Sequence, residues 1–243
     1  MAGHSKWKNN LGRKTAQDAK KSANFGKLSK AITVAVLEGG SPDPNFNPRL
    51  RVAVDAARAG SMPKDNIERA IAKASGPDKA ALVTTLYEVF GPHGCQMLVT
   101  ATTDNPNRTN NEIRSVVEKH SGKLGVAGSV KHLFTHCGVC EVGHDEKKVS
   151  DDDILTVATE LEAMEYEVME DGHAILFFPF NHVGKSKEKI ESLGLKVYDG
   201  PNVIYKATMP IEVTDAASQE VISKLVEVLE NHDDVQEVFT NIA

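Results

Sequence analysis

The sequence predicts an α+β protein: an N-terminal three-helix domain followed by two ferredoxin-like α+β domains, one inserted in the other. Three observations carry this expectation. Apolar residues recur at three- and four-residue steps through residues 25–74, the spacing of a buried helix face. Beyond Gly76 the rhythm changes to short apolar runs alternating with helical stretches. A closing helix–strand pair needs a sheet to lie against, and the elements at 85–134 are incomplete without it. The expected domains are 1–79 (basic arm and helical bundle), 80–134 plus 205–243 (discontinuous α+β domain) and 135–204 (inserted α+β domain).

Taken in order, Phe25, Leu28, Ile32, Ala35 and Val36 define a first amphipathic helix, stopped by Gly39, Gly40 and Pro42. After the loop SPDPNFN, Pro48 suits the first position of a second helix, whose inner face is Leu50, Ala53, Val54 and Ala57. A third opens at Pro63 with Asp65 in its first turn and buries Ile67, Ala70, Ile71 and Ala74. Strands at 85–90 and 96–103 join across GPHG, a helix spans 107–120, and SVKHLF (129–134) reads as a strand. In the second set a strand at 139–142 leads to a helix over 151–164 that opens on three aspartates. Strands at 166–170 and 173–179, a helix at 185–193 and short strands at 195–199 and 202–208 follow. A helix over 215–230 presenting Val221, Ile222, Leu225, Val226 and Leu229, then a strand at 235–241, close the chain.

The charge is divided along the chain. Net charge is −6, yet residues 1–75 hold fourteen Lys and Arg against six Asp and Glu (+8), while the remaining 168 hold fourteen against twenty-eight (−14). This asymmetry suits a basic segment that meets a polyanion and an acidic body that limits indiscriminate sticking. No apolar run reaches the length of a membrane helix, and three cysteines in 243 residues argue against a disulfide framework. A cytoplasmic protein without a membrane partner is expected.

The opening MAGHSKWKNNLGRKTAQDAKKSANFGKLSK has seven lysines, one arginine and a single acid, Asp18. A mitochondrial presequence would favour arginine and show an apolar helical face, which residues 1–24 lack. Gly3, Asn9, Asn10 and Gly12 are compatible with a solvated tail. Trp7, the only tryptophan, sits between Lys6 and Lys8, which suits stacking on a base or docking in a groove while lysines neutralise phosphates. Nucleic acid is therefore the leading partner. The candidate contacts are Lys6, Trp7, Lys8, Arg13, Lys14, Lys20 and Lys21 of the arm, with Arg49, Arg51, Arg58, Lys64 and Arg69 on the outer faces of the bundle. In TTDNPNRT (102–109), Asp104, Asn105 or Asn107 can cap the following helix, and Arg108 in its first turn adds a full charge to backbone donors aimed at an anion. A well-capped ordinary helix is the competing reading.

Other motifs are weaker. Cys137 and Cys140 form C-x-x-C near His132, His136 and His144, a donor set zinc can use; the favoured reading is an exposed hairpin turn at 135–138. VGKS (183–186) imitates the end of a phosphate-binding loop, but Pro179 stands where that loop needs glycine. No nucleophile–base–orienter set is identifiable, so no enzyme, small-molecule substrate, metal or cofactor is expected. A monomer is expected, since no dimerising heptad is present.

MAGHSKW, EGGSPDPNFNPRLR, MPKDNIERAI (62–71), TTDNPNRT, GKLGVAGSV (122–130) and NHDDVQEVFTN (231–241) closely resemble the YebC/PmpR family, which includes the mitochondrial translational activator of cytochrome c oxidase. The resemblance spans the whole chain. It implies three domains, the middle one discontinuous, and no catalytic residue. It also implies one of two roles: a DNA-binding transcriptional regulator, or a ribosome-associated translation factor that binds ribosomal RNA and eases proline-rich stalls. Charge alone does not separate the two targets. The chain departs from the family's commoner form at His93, where relatives tend to have glycine, at THCGVC, and in the middle of the opening arm.

Overall fold

A computed structural model describes residues 21–76, 82–145 and 148–243, with side chains described from residue 25 onward. Helices α1 (Lys21–Gly39), α2 (Pro48–Ala59) and α3 (Lys64–Ser75) come first. The chain continues as β1 (Val83–Phe90), β2 (Gln96–Thr103), α4 (Pro106–Lys119), β3 (Lys123–Leu124) and β4 (Phe134–Gly143). Then come α5 (Asp151–Glu160), β5 (Glu165–Val168), β6 (Ala174–Pro179), α6 (Val183–Ser192), β7 (Lys196–Ala207), α7 (Ala216–Glu230) and β8 (Val235–Thr240).

The three-helix domain packs Ile32, Val36, Leu50, Val54, Ala57, Ile67, Ala70 and Ala74 into one core. Its small residues let the short helices approach closely. Asn47 joins the first two helices. Its carbonyl oxygen accepts from Leu50 N (3.1 Å) as the α2 N-cap, while its amide donates to Ala35 O and Ser41 O (2.8 Å each). Gly39 leaves the room this requires, since a Cβ there would come within 2.2 Å of the Asn47 side chain.

The first sheet has the order β3-β1-β2-β8, with antiparallel neighbours throughout. Its fourth strand comes from the end of the chain, after the whole second sheet has been traversed. Helices α4 and α7 bury Ile113, Val117, Ile222, Leu225 and Leu229 against Val89, Met97, Val99 and Val238. The strand expected at 129–134 is instead a single 3-10 turn, Lys131–Leu133, with β4 starting at Phe134. The cause is Glu88. Its buried carboxylate accepts from the N–H groups of Gly128 and Val130 (2.5 Å each) and Lys131 (2.8 Å), donors that a strand ladder would otherwise engage.

The second sheet has the order β5-β6-β4-β7. No hairpin turn falls at 135–138: the segment lies inside β4, a continuous ten-residue strand paired on both sides, with Cys137 opposite Pro179 on β6 and Ile204 on β7. Gly138 makes the pairing possible, because a Cβ there would meet the Phe178 ring at 2.3 Å. The two short strands expected at 195–208 are one twelve-residue strand, β7, whose register against β4 shifts on both sides of Glu141. Helix α5 ends at Glu160, short of the expected 164, where Glu162 takes a positive φ of 52° and Ala163 N bonds back to Ala158 O (2.7 Å). Helices α5 and α6 cover Cys140, Val142, Leu176 and Phe178, while Cys137, Val139, Ile175 and Phe177 pack on the opposite face.

Leu98, Val130, Phe134 and Phe239, with Ile204 and Tyr205 against them, join the two sheets. The helical domain touches both α+β domains. Val52 packs on the helical layer of the second sheet and Arg51 pairs with Glu188 of α6 (2.6 Å), while α1 reaches the turn between α7 and β8.

Candidate nucleic-acid interface

The arm residues Lys6, Trp7, Lys8, Arg13, Lys14 and Lys20 lie outside the described residues, and Lys21 opens α1 with its side chain outside the description. Arg49 and Arg51 are placed by the Asn47 cap, which fixes the first turn of α2. Arg49 is bonded to Glu38 of α1. Arg51 bonds Glu188 and also reaches Pro44 O (3.3 Å). Arg58 pairs with Asp55 (3.3 Å) and Lys64 with Glu68 (3.5 Å) along their own helices. Arg69 is exposed and has no ion pair among the described residues. Exposed pairs of this kind contribute little in water, so a phosphate can replace the carboxylate at small cost.

Arg108 is engaged differently. Asn105 caps α4 by accepting from Arg108 N (3.1 Å), and the guanidinium bonds Asp104 and Asp234 at 3.0 Å each. The Arg108 guanidinium is thus engaged by the chain's own Asp104 and Asp234 carboxylates.

Asp234 ties three segments together. One oxygen accepts from Lys30 Nζ of α1 (2.7 Å); the other accepts from Thr109 Oγ1 (2.7 Å) and Arg108. Its backbone carbonyl accepts from Thr102 N (2.8 Å). Burial pushes this carboxyl up, but the bonds from Lys30, Thr109 and Arg108 outweigh it and hold the group well below the usual carboxylate range. Beside it, Asp234 N donates to His232 Nδ1 (3.1 Å), which leaves Nε2 as the protonated nitrogen facing Glu112 at 3.1 Å. Arg108, Glu112, His232 and Asp234 line a cleft of about 1080 Å³ between the helical domain and α4, with Lys30 and Lys73 on its helical side. Glu112, His232 and Asp234 bring potential metal-ligating atoms within 4.8 Å of one another. Both Asp234 oxygens are already committed to cations and a hydroxyl, so the cluster is an ion-pair network that holds domains together.

The sequence showed TTDNPNRT and NHDDVQEVFTN as separate motifs, and Asp234 was not among the candidate residues. Their meeting was readable only from complementary chemistry, a cation and hydroxyl-rich helix start in one and paired aspartates in the other. The C-x-x-C motif is resolved as two unconnected thiols. Cys137 and Cys140 lie three apart in a strand and belong to clusters on opposite faces of the sheet, so they cannot share one ion. Burial pushes the Cys137 thiol up to about 11 and raises that of Cys140 further; both are inert at neutral pH.

Fold and site together define a three-domain α+β protein whose helical module is fastened to a discontinuous α+β domain through a buried aspartate. The family model described as TACO1/YebC protein N-terminal domain matches residues 5–77, and that described as TACO1/YebC second and third domain matches residues 82–242. The chain belongs to the TACO1/YebC family. A probable transcriptional regulatory protein of Zymomonas mobilis subsp. mobilis is 43% identical over 241 residues, spanning 99% of this chain and 94% of that protein. A crystal structure of a conserved hypothetical protein from Aquifex aeolicus superposes with a TM-score of 0.80 at 36% identity, covering 93% of this chain and 91% of the other. No helix among the described residues is long and apolar enough to cross a membrane.

Proposed function

We propose that this chain is a non-enzymatic regulator of gene expression that acts by binding nucleic acid, with DNA as the target and transcription as the process controlled. The observation that carries the reading is similarity along nearly the whole chain to a probable transcriptional regulatory protein. The division of charge, +8 in the first 75 residues against −14 in the rest, supplies the physical basis: the front segment attracts phosphates and the acidic body orients it. Phosphate contacts position a protein without specifying sequence, so specificity has to come from the α+β domains or from nucleic-acid shape.

The test is a duplex DNA titration over a range of salt, run beside sucrose-gradient fractionation of lysate at the same salts. Tight duplex binding and no migration with ribosomal subunits supports the reading; ribosome co-migration with weak DNA affinity moves the protein to translation. Replacing Lys6, Lys8, Arg13 and Lys14 by alanine is expected to weaken binding and flatten the log–log salt dependence by about 0.9 per lost contact on duplex DNA. Unchanged binding by that variant removes the arm from the mechanism.

A further inference from the structure

Where the three domains meet, Phe180, His136 and Tyr205 form a ladder of stacked rings. His136 lies between the other two, with centroids 4.4 Å from Phe180 at 26° and 4.7 Å from Tyr205 at 24°. Tyr205 is backed edge-on by Phe239 of the first sheet (5.5 Å). The pairing His136↔Tyr205 across β4 and β7 sets one step of the ladder, and the 3-10 turn Phe180–His182 sets the other. The inner end is thus anchored in the junction between the sheets. The outer end is open: Phe180 is 39% exposed and, among the described residues, belongs to no apolar cluster of the core and stacks on His136 alone.

Cations act on the middle ring of this ladder, while the turn that carries Phe180 also sets His182 opposite Glu162 at 3.6 Å. Besides burial, the charges acting on His136 are those of Lys131 and Arg49, and all three hold its imidazole below the usual value. Arg49 comes from the start of α2 and has only an exposed partner, Glu38; Lys131 is exposed at the start of the turn before β4. An open aromatic ring on a ladder whose middle member lies in the field of two cations matches an unpaired base with neighbouring phosphates. An acidic or purely apolar partner would use only one of the two features.

We infer that the outer face of Phe180 is a stacking platform for an unpaired nucleobase of single-stranded DNA or RNA, with Arg49 and Lys131 contacting the neighbouring phosphates. This rests on the nucleic-acid reading above and adds to it a position and a strand state. Paired bases present no free face, so a duplex cannot use the platform without losing a base from its stack.

The test uses the full chain and three fluorescent probes of one mixed sequence of about twelve nucleotides: single-stranded DNA, single-stranded RNA and duplex DNA. Phe180→Leu is expected to lower affinity for the single strands about tenfold, with the salt slope unchanged and with duplex affinity unchanged. Phe180→Trp restores the wild-type value, which a merely misfolded Leu variant would not explain. Arg49→Gln is expected to flatten the single-strand salt slope by about 0.7. A larger loss on one single strand than on the other identifies the sugar preferred. Equal single-strand binding by wild type and Phe180→Leu overturns the platform alone; absence of binding by wild type to all three probes overturns the nucleic-acid reading and the platform with it.

Discussion

Asp234 shows how much one side chain can carry. It is 5% exposed and gathers Lys30, Arg108 and Thr109, which come from α1 and from the start of α4. Asp234→Asn keeps the shape but removes the charge that Lys30 and Arg108 face, and is expected to lower stability by about 2–3 kcal/mol at neutral pH in urea unfolding. The sign of the pH dependence follows from the direction of the shift. A carboxyl held below its unfolded value contributes fully above about pH 4 and progressively less as pH falls below it. The gap between wild type and Asp234→Asn is therefore expected to narrow on acidification below about pH 4; a gap independent of pH would remove the charge from the account. His93 is a second case. It adopts a φ of 55° in the turn before β2, with its ring at 3.2 Å from Ser218 Oγ, a left-handed backbone that explains why glycine suits this position. The departure was visible in the sequence, but its backbone consequence was not, since nothing in GPHG dictates which residue takes the left-handed conformation.

At the scale of elements, helices were the most legible parts. Asn47 followed by Pro48 marks a helix start in any context, and α2 begins there. Asn47→Ala is expected to cost about 2 kcal/mol, because one substitution removes a cap and the amide's bonds to Ala35 O in α1 and Ser41 O in the loop after it. Thermal melts should show it, with a loss at least as large for Asn47→Asp, which keeps the cap acceptor but sets a buried carboxylate oxygen against Ala35 O and Ser41 O. What the sequence hid were strands whose course depends on distant partners. Thr135 to Gly138 has turn composition, yet β6 and β7 flank it and Gly138 admits the Phe178 ring, so it runs straight. SVKHLF has strand composition, yet a carboxylate forty residues earlier takes its backbone donors. The ring ladder was hidden for the same reason: His136, Phe180 and Tyr205 are remote in sequence and converge through sheet register and the 3-10 turn after β6. The bundle cations were all visible, but the partners of Arg49 and Arg51 were not, since Glu38 and Glu188 lie on other helices.

For the molecule as a whole, α1 is attached to the domain of the first sheet by long cationic side chains that reach backbone oxygens and the Asp234 carboxylate. Lys27 Nζ bonds Glu230 O at 2.6 Å and Lys30 Nζ bonds Asp233 O at 2.9 Å, capping the carbonyl end of α7 and the turn beyond it. Lys27→Met with Lys30→Met is expected to raise amide hydrogen exchange across residues 27–36 while β1, β2 and β6 keep their protection; equal protection in α1 would show that apolar packing alone fixes the domain. The order β3-β1-β2-β8 has a further consequence, for the nascent chain. The second sheet, spanning β4 to β7, is fully translated by Ala207, whereas the first lacks its outer strand until Thr240 emerges. Until then β2 offers one bare edge to any neighbour. The later-numbered sheet is therefore the earlier one free to fold, and a premature stop before Val235 strands the first in an adhesive, half-built state.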